Sequence, residues 1–245
     1  MKKLAIKAFK TQSNHTQDIS LSYEHFGLPL NQAPVVLVNH ALTGNSQVVG
    51  EKGWWNDLIG DNKTIDTTFY TVLAFNIPGN GYDDNFDTLF LNYKDFSVKD
   101  FSVVFWEGLK VLEIESLFAV IGGSLGGGIA WEMAVINPKI TKHLVLVATD
   151  WKSTDWLIAN CQIQEQFLLN SSNPVHDARM HAMLCYRTPE SFKARFQRSK
   201  NEELEIKYLK SLKEEYESNL MLFDQSFSHH IPRWNNLDVF FNFSV

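Results

Sequence analysis

A serine flanked by glycines carries the strongest chemical signal in the sequence. Ser124 lies in Gly122-Gly-Ser-Leu-Gly126, between an apolar run at 117–121 and a helix-compatible run at 129–134. This context is typical of a nucleophilic serine on a tight strand-to-helix turn, where a Cβ at a flanking position would collide with the neighbouring strand or helix. The alternative is a phosphate-binding glycine loop, but the Lys-Ser/Thr ending of a P-loop is missing and the spacing does not fit Gly-x-Gly-x-x-Gly.

Apolar runs that alternate with a helical pattern supply the elements that must position this serine. We predict a half-exposed strand at 19–23 and buried strands at 35–38, 70–75, 117–121 and 144–148. A helix from Val98 to Leu112 separates two of these strands, and Ser97 and Asp100 form a potential capping box at its start. The alternation predicts a mostly parallel sheet with helices on both faces, with catalysis at the carboxyl ends of the strands. The alternation thus predicts the fold class α/β, and the serine on a strand-to-helix turn indicates the α/β hydrolase type.

The pattern changes after Asp150, where strand-like runs give way to helical ones. Helices are predicted at 153–169, 175–186, 189–199 and 201–223. We therefore expect three regions: a core at 1–150, a helical lid over the sheet at 151–224, and an irregular C-terminal tail at 225–245. The C-terminal strands of the fold are expected to be missing.

A nucleophilic serine requires hydrogen-bond donors for the oxyanion that forms when it attacks a carbonyl carbon. In an α/β hydrolase, the loop after the strand at 35–38 donates one backbone N–H and the residue after the nucleophile donates the other. Leu42 and Leu125 are the residues at these positions. His40 lies beside the loop, and we expect it to bond to the backbone rather than to act in catalysis.

Composition and charge exclude several classes of function. The 245 residues are 44% hydrophobic and 20% charged, with a formal net charge of −6. This negative charge argues against a nucleic-acid or anionic-membrane surface. No apolar run is long enough to span a membrane, and Lys7 and Lys10 interrupt the start of the chain before a signal-peptide core can form. Cys161 and Cys185 lack metal-ligand spacing, so we expect free thiols, no metal and a cytoplasmic protein.

Several longer blocks resemble one enzyme family. They occur in the expected order over roughly residues 20 to 170, namely His40-Ala-Leu-Thr-Gly44, Gly53-Trp-Trp-Asn-Asp-Leu-Ile-Gly60, Ile65-Asp-Thr67, the serine block at 119–127 and Ser153-x-x-Trp156-x-Ile158-Ala159. These blocks resemble the homoserine O-acetyltransferases, acyltransferases of methionine biosynthesis. The resemblance implies that the serine takes acetyl from acetyl-CoA and passes it to the homoserine hydroxyl. It implies acetyl-CoA as co-substrate, no bound cofactor and a small-molecule substrate, with a homodimer left open.

Two segments depart from the family pattern. Family members usually carry a Gly-Ser-Thr-Gly-Pro loop where this chain has Ile77-Pro-Gly-Asn-Gly-Tyr82. The family also has a Gln-Arg pair in the lid, whose arginine is thought to hold the substrate carboxylate. Gln164-Glu165 stands there in this chain, and an acid would repel that carboxylate. Arg179 is the candidate to replace the arginine.

The general base is missing from the positions where this fold places it. The chain order of the catalytic residues is serine, acid and then histidine, on loops after two later strands. The histidines after the serine are His143, His176, His181, His229 and His230, and none follows such a strand. We interpret the chain as ending before the final strands, and expect none of these imidazoles to reach Ser124 Oγ.

Three hypotheses remain open at this point. The first is an acyltransferase of the homoserine O-acetyltransferase type. The second is a serine esterase or hydrolase on the same core, which the substrate-region departures favour. The third is an inactive homologue or an interaction partner, which the missing acid and base favour.

Overall fold

The computed structural model describes residues 1–82, 89–90 and 92–196. These residues fall into two compact units, one formed by residues 1–153 and the other beginning at Thr154. The helix predicted at 201–223 and the tail predicted at 225–245 lie outside the described residues.

The first unit is built on a six-stranded sheet. Its strands are β1 (Lys2–Lys10), β2 (Thr16–Gly27), β3 (Val35–Asn39), β6 (Thr71–Phe75), β7 (Leu117–Gly123) and β8 (Thr141–Val147), and their order in the sheet is β1-β2-β6-β3-β7-β8. β1 pairs with β2 and β2 with β6 in antiparallel fashion, whereas β6, β3, β7 and β8 run parallel to one another. The mostly parallel sheet of an α/β hydrolase is thus confirmed.

The two central strands owe their position to their composition. Every residue of β3 and of β6 is buried, as expected for strands that are covered on both faces. Alternate residues therefore point into two separate cores: Leu37 and Leu73 into one, Val36 and Val72 into the other.

Helices cover one face of this sheet. The helices α1 (Val98–Val111) and α2 (Leu125–Ile136) pack there on the core that includes Leu37. The predicted capping box is present, since Ser97 Oγ accepts the N–H of Asp100 and the Asp100 carboxylate accepts the N–H of Ser97 at 2.8 Å. Among the described residues, the opposite face is covered by the segment at 46–65 and the short strands β4 (Ile59–Gly60) and β5 (Ile65–Asp66).

The first strand was not predicted, because a β-bulge interrupts its period. Register shifts between Ile6 and Phe9, where Ala8 adopts φ 50°. The Asp18 carboxylate accepts the N–H of Ala8 at 2.9 Å and so stabilises the bulge. The buried positions Ile6 and Phe9 are consequently three residues apart rather than two, and lysines surround them.

The second unit is helical over the residues described. It contains α3 (Asp155–Asn170), α4 (Pro174–Tyr186) and α5 (Pro189–Phe196), close to the predicted bounds. Cys161 is buried and Cys185 is exposed, both are free thiols, and burial raises the pKa of Cys161 to about 11. The role of this unit as a lid stays a prediction.

Two kinds of feature are absent from the described residues. None of the helices has the length and apolar character needed to cross a bilayer. The same residues contain no cluster of three or more His, Cys, Asp or Glu side chains suited to a metal ion.

Candidate active site

Ser124 occupies the junction between a strand and a helix. β7 ends at Gly123 and α2 begins at Leu125, so Ser124 is the single residue between them. Its backbone has φ 52° and ψ −119°, a conformation that residues with a side chain rarely adopt. The predicted strained turn is confirmed, and it is the geometry that a nucleophile elbow requires.

The glycines around Ser124 are needed because backbone passes close to them. A Cβ on Gly122 would lie 2.1 Å from the Gly126 carbonyl oxygen. A Cβ on Gly126 would lie 2.2 Å from the Asn39 oxygen and 2.4 Å from the His40 oxygen. The start of α2 is therefore pressed against the end of β3, where the predicted oxyanion loop begins.

The backbone of Ser124 is held firmly while its hydroxyl is left available. Its N–H donates to the Val147 carbonyl at 2.9 Å, and its own carbonyl accepts the N–H groups of Gly127 and Gly128. A serine at a helix N-cap ordinarily accepts a hydrogen bond from the first turn, but Ser124 makes no such bond. Within the described part of the first unit, Oγ has no hydrogen-bond partner, so it is free to meet a substrate.

The predicted oxyanion loop has the conformation of a tight turn. The Gly44 N–H donates to the Ala41 carbonyl at 2.9 Å, and the Leu42 side chain packs against the core. Within the described residues, neither Leu42 nor Leu125 donates its N–H to a protein acceptor. The structure thus brings the loop and the elbow together and leaves both N–H groups available. Their convergence on one point stays a prediction.

His40 is a structural residue, as predicted. Its side chain is fully buried at the end of β3. Nδ1–H donates to the Ala41 carbonyl at 2.7 Å, and Nε2 accepts the N–H of Ile77 at 2.9 Å. Burial lowers the pKa of His40 to about 4, so the ring is neutral near pH 7 and serves as both donor and acceptor.

The histidine of β8 lies too far along its strand to serve Ser124. His143 pairs with Ala119, whereas Val147 pairs with Gly123, the residue before the serine. Four residues of strand separate the two positions, a distance of about 13 Å. The ring instead meets Phe118 edge-on, with ring centroids 4.9 Å apart.

The other predicted site residues belong to different parts of the chain. His176 and His181 lie on α4, where His176 Nδ1 is 3.0 Å from the Asp177 carboxylate. His229 and His230 lie outside the described residues. Arg179 is also on α4, while Gln164 on α3 is buried beside the half-buried Glu165. A carboxylate-binding role for Arg179 stays a prediction.

Two polar residues near the carboxyl ends of the central strands escaped the sequence analysis. Asn76 directly follows β6, and Ser46 lies in the segment after β3. Both are at most 2% exposed, and they are hydrogen-bonded to each other. A single asparagine after an apolar strand has no periodic signal, so only the three-dimensional contacts reveal it.

Comparison with known proteins supports the same assignment. A sequence model of the α/β hydrolase fold matches residues 34–215. The homoserine O-acetyltransferase of Symbiobacterium thermophilum is 31% identical over 214 residues, covering 74% of this chain and 56% of that protein. The chain spans about half the length of the curated relatives it matches, between 46% and 56% for the first three.

Solved structures give a matching result. The homoserine O-acetyltransferase of Staphylococcus aureus superposes with a TM-score of 0.68 at 28% identity, covering 80% of this chain and 61% of that one. An acetylester hydrolase from Corynebacterium glutamicum has a TM-score of 0.69 at 19% identity, covering 86% and 67%, and shows the shared fold. The resemblance to homoserine O-acetyltransferases is therefore confirmed, and the chain belongs to the α/β hydrolase fold family.

Proposed function

We propose that the chain provides the nucleophile and the oxyanion hole of an acyltransferase of the homoserine O-acetyltransferase type. Ser124 Oγ attacks the thioester carbonyl of acetyl-CoA, an oxygen–carbon bond forms, and the carbon–sulfur bond breaks. The departing thiolate takes up the proton that the serine hydroxyl loses. The hydroxyl oxygen of an amino acid then attacks the acetyl carbon, the bond between that carbon and Ser124 Oγ breaks, and the hydroxyl proton returns to Ser124 Oγ. Acetyl-CoA is a co-substrate in this scheme, and both substrates are small molecules.

The observation that carries this proposal is the conformation of Ser124. Ser124 adopts φ 52°, which costs backbone strain, and its hydroxyl does not cap the helix that follows. Among the described residues, the nearby N–H groups of Leu42 and Leu125 have no protein acceptor. Such strain persists where the surroundings enforce it, typically at functional sites. The Leu42 and Leu125 N–H groups are the donors for the oxyanion, which in such sites typically supply a large share of the rate enhancement.

The test compares two reactions in the same protein preparation. Transfer of acetyl from acetyl-CoA to homoserine is followed beside hydrolysis of p-nitrophenyl acetate, with Ser124→Ala as control. Because no base is bonded to Ser124 in the described part of the first unit, we expect slow acetyl transfer that Ser124→Ala abolishes, and an acetyl group on Ser124 by mass spectrometry after quenching. Equal rates in the parent and in Ser124→Ala would contradict the proposal.

A serine esterase is the second candidate, and one observation favours it. Gln164 is buried and Glu165 is half-buried on α3, where the resemblance places a carboxylate-binding arginine. A carboxylate at this position disfavours an amino-acid acceptor by charge repulsion. Hydrolysis of p-nitrophenyl acetate without transfer to homoserine would select this candidate.

A further inference from the structure

A buried polar cluster connects the two loops that follow β3 and β6. Asn76 is its centre, and the side-chain amide accepts the Ser46 N–H at 2.8 Å through Oδ1 and donates to Ser46 Oγ at 3.0 Å through Nδ2. Ser46 Oγ in turn donates to the Glu24 carboxylate of β2 at 2.6 Å. The Ser46 side chain therefore has both a donor and an acceptor partner, which fixes its hydroxyl.

Two further contacts join the same loops on either side of Asn76. The Ile77 N–H donates to His40 Nε2 at 2.9 Å, next to the oxyanion loop. At the other end, the Tyr82 hydroxyl donates to Gln47 Oε1 at 2.7 Å. Asn80 links these contacts, because its side chain donates to Asn76 Oδ1 at 3.2 Å and accepts the Tyr82 N–H at 3.1 Å.

The segment that makes these contacts is the one that departs from the family pattern. Ile77-Pro-Gly-Asn-Gly-Tyr82 replaces the usual Gly-Ser-Thr-Gly-Pro loop, and both Asn80 and Tyr82 belong to it. Hydrogen bonds in a site shielded from water are stronger than exposed ones, and a network that satisfies all its members is rigid. The segment 77–82 is thus attached through Ile77 to His40 and through Tyr82 to Gln47, two residues that flank the oxyanion loop on either side.

We propose that Asn76, together with Asn80 and Tyr82, is a positioning residue that holds the oxyanion loop in place. Residues 41–45 lie between two anchored points, His40 and Ser46, so the direction of the Leu42 N–H depends on both anchors. Within the described residues, no hydrogen bond joins Asn76, Asn80 or Tyr82 to Ser124. This inference rests on the proposed function, because the direction of the Leu42 N–H matters only if that group binds the oxyanion.

The experiment uses three variants of one network, Asn76→Ala, Ser22→Ala and Tyr82→Phe. Asn76→Ala removes both bonds to Ser46. Ser22→Ala removes only the Ser22 hydroxyl, which accepts from Asn76 Nδ2 at 2.9 Å, and leaves the loop bonds intact. Amide hydrogen exchange reports local opening of a segment independently of activity. We expect exchange in residues 40–47 to rise about tenfold in Asn76→Ala and to stay unchanged in Ser22→Ala.

Kinetics supply the second readout. A displaced oxyanion donor weakens binding of the transition state but not of the ground state, so kcat per titrated serine should fall about tenfold with KM unchanged. Tyr82→Phe removes the peripheral bond to Gln47 and should give a smaller effect in the same direction. It keeps the test decisive if Asn76→Ala does not fold.

The outcomes distinguish a failure of the positioning role of Asn76 from a failure of the proposed function. Unchanged exchange at 40–47 in both Asn76→Ala and Tyr82→Phe, or a rise in KM equal to the fall in kcat, would overturn the positioning role. An altered exchange pattern in a protein whose Ser124 is never acylated would instead refute the proposed function and leave the positioning of the loop intact.

Discussion

At the scale of single residues, His40 couples the oxyanion loop to pH. Its folded pKa of about 4 lies below the ordinary value of 6.5, so the unfolded chain takes up a proton first as the pH falls. The associated stability is fully present above pH 6.5 and is lost as the pH falls through 4. The difference between these two pKa values corresponds to about 3 kcal/mol of unfolding free energy at most.

This dependence can be measured by urea unfolding at several pH values. Relative to His40→Asn, which does not titrate, the parent should lose about 3 kcal/mol of unfolding free energy between pH 7.5 and pH 4. Subtracting the unfolding free energy of the variant from that of the parent at each pH removes the contribution of the other titrating groups, which the two proteins share. Parallel pH curves for the two proteins would show that His40 is not a buried neutral imidazole.

Residue types also show what could be predicted from the sequence. Ser124, Leu42 and Leu125 were identified because a fixed spacing of glycines and a neighbouring strand end mark their positions. Asn76 and Ser46 were not, since each is an isolated polar residue whose partner is 30 positions away. The free energy of such a pair depends on burial, which appears only once the sheet has formed.

At the scale of elements, the contact between α2 and the end of β3 sets the position of the elbow. Gly126→Ala would place a Cβ 2.2 Å from a backbone oxygen, and neither backbone segment can yield easily. We expect a loss of about 1–3 kcal/mol of unfolding free energy.

Gly123→Ala is the matched control for this substitution. A Cβ on Gly123 would contact only the Trp55 ring, at an ordinary 3.8 Å, so its unfolding curve should stay close to that of the parent. Equal losses in the two variants would mean that general glycine effects, rather than the close approach of α2 to β3, limit stability.

Elements were predictable where their hydrophobic period is regular. The strands predicted at 35–38, 70–75 and 117–121 and the helix α1 follow an uninterrupted pattern, and their predicted bounds agree closely with the structure. The prediction of a buried strand at 144–148 was wrong in part, because β8 begins at Thr141 and is the edge strand of the described sheet, where Val145 and Val147 are exposed. β1 was missed because the bulge at Ala8 changes the spacing of its buried residues. β4 and β5 are two residues long each, too short to have a period at all.

At the scale of the whole molecule, reactivity depends on whether an imidazole reaches Ser124. Within the described part of the first unit no side chain bonds to Oγ, and a serine hydroxyl without a base is a weak nucleophile. We expect slow labelling of the 245-residue chain by a fluorophosphonate probe, at a rate that depends little on pH between 6 and 8.

The competing outcome is equally specific. Rapid stoichiometric labelling of Ser124, with a rate that rises through a pKa near 6.5, would show that a histidine such as His229 or His230 acts as base. His229→Gln and His230→Gln, made separately, would then identify which imidazole is responsible.

The order of the strands along the chain also determines when the site can form during synthesis. The oxyanion loop, the elbow and Val147, whose carbonyl holds the Ser124 N–H, all precede the helices of the second unit. The ribosome needs about 2 to 10 s to add the 49 residues between Val147 and Phe196. The strained serine can therefore be locked into the sheet while those helices are still being translated, so the order of translation favours an elbow that is complete before the second unit exists.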